Sequence, residues 1–348
     1  MSVFRTRKRM KKRNVIAKKV IKVVQFGVGP IGAGIVRLAA RKPGIRIVGA
    51  VDLLNVGKDL GDVADLGRKL GISIEKDAGA VLKRTKPDVV MHATGSSLKG
   101  IFPQLKTVIE AGVNIVSTCE EMSYPFRNQP SLAARIDKLA RTHGVTVMST
   151  GVNPGFMMDA WPLVMTGVCQ FVKKVKVARF QDATPRRLPF QKKIGAGLTV
   201  KEFKDLVKAG TIRHVGLTES IGMIAAGLGW KLDKLTETIE PIVAKKNIKS
   251  QYLTVKAGQA SGIRQVGRGF QGNREVITLE FEACLGAQDS YDAVYIDGTP
   301  PLEVVIGGGV HGDLATAAMI VNCVPRAVEA PSGLLTMKDL PLVCALPE

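Results

Sequence analysis

The chain has 348 residues, 45% of them hydrophobic, with 37 glycines and a formal charge of +20. That length suits two domains, and the composition excludes a disordered chain. No apolar run approaches the roughly 18 residues of a membrane span, so no membrane association is expected.

Half of the charge excess sits in residues 1 to 22, which hold ten Lys or Arg and no acid. Like charges repel and resist packing, so residues 1–19 are expected to form a disordered basic tail. An organellar targeting role for it stays open. Nucleic-acid binding is not expected, because no aromatic platforms accompany the charge. The remaining +10 is spread through the body, where it favours anionic ligands such as a dinucleotide. The five cysteines (Cys119, Cys169, Cys284, Cys323, Cys344) form no CxxC pair and have no histidine at ligand spacing. Neither a disulfide framework nor a metal site is therefore expected, and the reducing cytoplasm is the expected compartment.

From residue 20, short apolar runs (IKVVQFG, IRIVGAVD, DVVMHAT, NIVSTC, VTVMST) alternate with helical patterns (GPIGAGIVRLAARKPG, LKGIFPQLKTVIEAG, SLAARIDKLARTHG). Such alternation predicts an α/β domain of Rossmann type, a doubly wound parallel sheet covered on both faces. The pattern changes after GVNPGF. Longer alternating runs (KKVKVARFQDA, LTETIEPIVAK, SQYLTVKAG, REVITLEFEA, DAVYIDG) predict a second, α+β domain with a mostly antiparallel sheet. A last helix over HGDLATAAMIVNCVPRAVEA is expected to return to the first domain, with His311 and Asp313 at its cap. The expected division is 20–155 for dinucleotide binding, completed by 311–348, and 156–310 for substrate binding and dimerisation.

The best-placed motif is Gly27-Val28-Gly29-Pro30-Ile31-Gly32, between a strand and a helix. Gly27 permits the tight turn, Gly29 lets the backbone approach a pyrophosphate, and Gly32 lets helix pack on strand. Pro30 suits the first helical turn, where free amides and the helix dipole hold an anion. Twenty residues beyond Gly32, Asp52 ends the next strand, where a carboxylate accepts hydrogen bonds from ribose hydroxyls. It favours NAD over NADP by repelling a 2′-phosphate, although Lys58 and nearby basic residues keep NADP open. Ligands of such sheets lie beyond the carboxyl ends of the strands. Thr94, Gly95 and Ser96 are therefore candidates for ribose or pyrophosphate contact. Asn153 could meet the nicotinamide carboxamide, and His214 could line the substrate pocket. Met157, Met158 and Trp161 are expected in the core.

The pair Glu120-Glu121 follows the apolar run of residues 113 to 116. Strand alternation predicts that one of the two faces inward, and an inward carboxylate needs a partner or a task.

These motifs together resemble the dihydrodipicolinate reductase-like oxidoreductases. Within them, the resemblance is to the branch of 2,4-diaminopentanoate dehydrogenase and the native amine dehydrogenases. It rests on VVQFGVGPIGAG, VMHATGSS, NIVSTCEEMSYP, TGVNPGFMMD, RHVGLTESIGMIAAGLGWKLD and GLLTMKDLP. It implies NAD(P)-dependent interconversion of an amine with a ketone or aldehyde plus ammonia, reductive amination being the reverse direction. It also implies a homodimer built through the second sheet, and a catalytic glutamate at the STCEE position, Glu120 or Glu121. True dihydrodipicolinate reductases carry an adjacent histidine pair, whereas His92, His143, His214 and His311 are isolated here. Two alternatives stay open at this point: a reductase or dehydrogenase of another small substrate, and a non-catalytic NAD-binding protein.

Overall fold

The computed structural model describes residues 20–347, so the expected basic tail over 1–19 lies outside the described residues. The first part runs β1 (Ile21–Phe26), α1 (Pro30–Ala39), β2 (Ile45–Val51), α2 (Leu60–Val63), β3 (Ile74–Glu75), α3 (Ala78–Thr85), β4 (Val89–His92), α4 (Leu98–Glu110), β5 (Asn114–Ser117), α5 (Pro130–Thr142) and β6 (Thr146–Ser149). The second part holds α6 (Ala160–Thr166), β7 (Phe171–Asp182), α7 (Leu188–Lys193), α8 (Val200–Lys208), α9 (Leu217–Gly227), β8 (Lys234–Val243), β9 (Ile248–Lys249), β10 (Thr254–Val255), β11 (Ala260–Gln271), β12 (Arg274–Cys284), β13 (Tyr291–Thr299) and β14 (Leu302–Gly307). The chain then returns through α10 (Gly312–Glu329) to β15 (Gly333–Leu335).

The first sheet is parallel, in the order β15-β6-β5-β4-β1-β2-β3, and its strand order reverses between β1 and β4. Its strands read as continuous apolar runs because both faces are covered. Val24, Val90, Ile115 and Val147 pack against Leu105 of α4 and Ile136 of α5. The alternate residues Val23, Met91, Val116 and Met148 pack against Ile35 of α1 and Ile320 and Val324 of α10. Each fully buried aliphatic side chain of this kind contributes about 1.5–3 kcal/mol. Helix α10 thus forms part of the first domain's cover.

The second sheet is mixed, in the order β14-β13-β7-β12-β11-β8. All its pairs are antiparallel except β7 with β12. The segment SQYLTVKAG, expected as a strand, is mainly a turn. There the Ser250 hydroxyl accepts from the Tyr252 and Leu253 amides at 3.1 Å, and only β10 is extended, paired with β9. Strand β11 was not anticipated, because Gly262, Gly267 and Gly269 interrupt its alternation. The structure uses that missing bulk. A Cβ on Gly267 would fall 2.8 Å from Ile221 of α9, and one on Gly269 would fall 2.9 Å from Leu232. Helix α9 therefore packs close against β11. Among the described residues, no helix is long and apolar enough to cross a membrane.

Candidate active site

At the carboxyl ends of the parallel strands, a cleft of about 350 Å³ opens between the first sheet and the second domain. Its first wall carries Ile31, Gly95, Ser96, Thr118, Glu120 and Asn153. Its second carries Arg179, Arg186, Arg187, Phe190, Lys193, Arg213, His214 and Phe281, with Gly312, Asp313 and Thr316 from the start of α10.

The glycine turn is built by close packing. Gly27 has φ +91°, in the left-handed region, and a Cβ there would fall 2.7 Å from the Ala93 carbonyl carbon. A Cβ on Gly32 would collide with the Gly27 carbonyl. Gly29, the residue before α1, has open space around its missing Cβ, and no acid occupies the first turn of that helix. Pro30 opens α1, and Ile31 reaches the cleft. Asp52 Oδ2 accepts from the Val28 amide at 2.6 Å, and Oδ1 accepts from Leu54 at 2.7 Å and Asn55 at 3.3 Å. Unfilled room at Gly29, free amides and a fixed carboxylate at the next strand end fit a dinucleotide.

Thr94 is turned aside from the cleft lining. Its hydroxyl donates to Gln104 Oε1 at 2.6 Å and lies 3.0 Å from His92 Nε2. His92 is fully buried, and that burial holds its pKa down to about 4. Gly95 and Ser96 do line the cleft. Asn153 is buried, its amide nitrogen set against Met158 Sδ at 3.1 Å and its Oδ1 without a partner among the described residues. Buried polar atoms are rarely left so, and an amide oxygen at the cleft wall suits a donor arriving on a ligand.

Glu120 and Glu121 stand on a 3-10 turn, Glu120–Met122, rather than on the strand itself. Strand alternation is therefore not what separates them, and the turn sends their side chains to different partners. Glu120 lines the cleft, with Lys193 Nζ 3.8 Å from its Oε1. Glu121 Oε2 accepts from the Leu98 amide at 2.8 Å and from Gln129 Nε2 at 2.7 Å. The chain beyond the turn is held by the second domain. Asn128 Nδ2 donates to Thr218 Oγ1 at 3.0 Å and Glu219 Oε1 at 2.7 Å, and Tyr124 packs where Gly222 lacks a side chain.

His214 reaches the cleft from the loop before α9, its ring 4.3 Å from that of Phe281. Burial, helped by the positive Lys193 and Arg179, holds its pKa down to about 3, so its ring is uncharged near neutrality. Its Nδ1 has no partner among the described residues. Met157 and Met158 are buried core residues. His311 caps α10 through Nδ1, which accepts from the Leu314 amide at 3.4 Å. Asp313 turns instead to Arg186 at 2.9 Å and Arg187 at 3.3 Å.

The basic wall escaped sequence reasoning. Arg179 is 3% exposed and pairs with Asp292 at 2.6 Å, while Arg213 pairs with Glu237 at 3.2 Å. Five Lys or Arg line the cleft with Glu120 and Asp313; because Asp292 and Glu237 offset Arg179 and Arg213, the excess is one positive charge, held where Arg186 and Arg187 share Asp313. The local signals were two adjacent basic pairs, Arg186-Arg187 and Lys192-Lys193, on either side of Leu188-Pro189-Phe190. Among the described residues, no cluster of His, Cys, Asp or Glu could hold a metal ion.

Comparison with known proteins agrees with this architecture. Residues 21–122 match the family described as dihydrodipicolinate reductase, N-terminus. Residues 156–348 match the 2,4-diaminopentanoate dehydrogenase C-terminal domain. The chain is 36% identical over 338 residues to the 2,4-diaminopentanoate dehydrogenase of Acetoanaerobium sticklandii, a match spanning 94% of this chain and 95% of that protein. It is 23% identical to the amine dehydrogenase of Streptomyces virginiae, over 93% and 97% of the two chains. The solved structure of an amine dehydrogenase from Mycobacterium smegmatis superposes with a TM-score of 0.83 at 27% identity, covering 93% of this chain and 97% of that one. The chain belongs to the 2,4-diaminopentanoate dehydrogenase family, with an N-terminal domain of dihydrodipicolinate reductase type.

Proposed function

We propose that the protein is an NAD(P)-dependent amine dehydrogenase, interconverting an amine with a ketone or aldehyde plus ammonia, with Glu120 as its catalytic carboxylate. The observation that carries this reading is Glu120 itself, a carboxylate on the cleft wall at the strand ends of the glycine-turn domain, in a chain of this family. In this reading residues 20–155 and 311–348 hold the cofactor, and 156–310 hold the substrate. Gly27, Gly29, Pro30, Ile31 and Gly32 take the pyrophosphate. Asp52 takes the adenosine ribose and favours NAD over NADP, while Gly95 and Ser96 border the second ribose. Asn153 offers its unpartnered oxygen to the carboxamide.

When bound, the nicotinamide exchanges a hydride with the substrate carbon. Glu120 faces the positive charge that develops there when the amine becomes an iminium. It then accepts a proton from the water that hydrolyses the iminium; in reverse it holds ammonia and assists imine formation. A positioned base contributes typically about 10²–10⁴-fold, and its negative charge adds electrostatic stabilisation. His214, uncharged near neutrality, lines the substrate side without adding to the repulsion that a cationic amine meets. Arg186 and Arg187, which share the single carboxylate of Asp313, favour an amine that also carries an anionic group, as does the 2,4-diaminopentanoate after which the Acetoanaerobium relative is named.

The homodimer is proposed to form through the face of the second sheet turned away from its helices. There Phe180 stacks on Tyr291 at 4.7 Å and Lys176 lies over the Tyr295 ring. NAD(P)H consumption with a panel of ketones and aldehydes, with and without ammonium, tests the activity. Turnover is expected only with ammonium. Reduction that proceeds without it would favour a reductase of another substrate, and dinucleotide binding without any turnover would favour a non-catalytic protein.

A further inference from the structure

Glu121 is bound at two points to the loop that enters α4. Its carboxylate accepts from the Leu98 amide, the first of that helix, where Ser97 at the cap makes no side-chain hydrogen bond and no acid occupies the first turn. Its own amide donates to the Ser96 carbonyl at 3.3 Å. The neighbouring Cys119 thiol donates to that same carbonyl at 3.2 Å. Gln129, at the cap of α5, donates to the same carboxylate oxygen from the other side. A carboxylate at a helix N-terminus is favoured by the free amides and the dipole. Here it comes from another segment, so it ties two strand ends together. One segment carries Glu120; the other carries Gly95 and Ser96, which also line the cleft.

We propose that Glu121 is a positioning residue: its carboxylate locks the turn bearing Glu120 to the Ser96–Leu98 loop, fixing the distance between catalytic carboxylate and cofactor wall. The role in catalysis rests on the functional reading above; the coupling of the two segments does not. What the lock requires is an acceptor oxygen, since both of its side-chain bonds end on Oε2. Glutamine keeps an acceptor there and alanine removes it.

The test compares Glu121→Gln and Glu121→Ala by amide hydrogen exchange of the ligand-free protein, thermal melting, and the kcat, KM and pH profile of ammonium-dependent carbonyl reduction. Glu121→Ala is expected to speed exchange at both Leu98 and Glu121 by about tenfold or more, the loss of a hydrogen bond to a charged group. It is also expected to lower kcat by about tenfold or more through misplacement of Glu120, with the pH profile keeping its shape. Glu121→Gln should restore both to within about threefold, less than the effect of a whole hydrogen bond. Equal loss in both variants, with a flattened pH profile, would show that Glu121 acts by its charge and would overturn the proposal. So would a melting shift with kcat unchanged, or exchange that quickens at Leu98 alone. If the wild-type protein shows no ammonium-dependent turnover, the functional reading fails separately, and exchange at Leu98 and Glu121 still decides the coupling.

Discussion

Substituting Gly29, Gly32 and Gly34 by alanine, one at a time, separates folding from dinucleotide binding on a single turn. At Gly34 the added methyl would meet Arg37 and Ala317 at 3.8 and 3.9 Å, ordinary contact. Alanine is the better helix former by about 1 kcal/mol, so Gly34→Ala should keep or slightly raise stability. At Gly32 the methyl would fall 2.9 Å from the Gly27 carbonyl carbon and closer still to its oxygen. The whole first turn of α1 must then lift off β1. Overpacking of that kind costs about 1–3 kcal/mol, and both melting temperature and dinucleotide affinity should fall. Gly29 is the informative position. Nothing in the protein lies within 4 Å of its Cβ direction, and its φ of −71° is open to alanine. The folding cost is then at most the cap preference of glycine over alanine, about 1 kcal/mol. For a chain of this size that shifts melting by roughly 2 °C. Yet the methyl occupies the space through which a pyrophosphate would reach the amides, so affinity should drop by about tenfold or more, 1.4 kcal/mol. Nucleotide fluorescence titration beside thermal melting reads both quantities. If Gly29→Ala binds NADH as tightly as wild type, the dinucleotide does not sit on this turn.

Two further outcomes follow from neighbouring groups. Asp52→Ala should narrow or reverse a preference for NAD over NADP; a wild-type protein that binds NADP more tightly would sink the assignment of that carboxylate to the ribose. His92 is buried with its pKa held down to about 4, against about 6.5 in the unfolded chain. The unfolded state therefore binds the extra proton in that window, and stability falls as pH drops from about 6.5 toward 4, at up to about 1.4 kcal/mol per unit. Urea unfolding of His92→Gln should lose roughly 2 kcal/mol less than wild type between pH 7 and 5. Parallel losses in the two proteins would contradict the buried, uncharged histidine.

The first domain was legible because its physics is local. A parallel sheet covered on both faces writes continuous apolar runs such as VVMH and NIVS, and the turn between β1 and α1 needs glycines at fixed spacing. The second sheet was less so. Strand β11 is spaced by Gly262, Gly267 and Gly269, which read as turn residues until Ile221 and Leu232 are seen against two of them. The acidic pair was recognised as important, but alternation along a strand was the wrong geometry; a 3-10 turn parts the two side chains. The basic wall could not be read, since Arg179, Arg186, Lys193 and Arg213 come from separate segments that meet only through the path of the chain. Adjacent sequence carried the pattern of the strands, and the long-range pairing of second-domain elements carried the charge of the cleft.

The central claim is that Glu120 serves the chemistry of an amine, and Glu120→Gln tests it most directly. Glutamine keeps the shape of the side chain and removes its charge and basicity. Ammonium-dependent reduction of a carbonyl substrate should fall by roughly 10²-fold or more, while titrated dinucleotide affinity stays within error of wild type. A Glu120→Gln variant that retains full ammonium-dependent turnover would contradict the account.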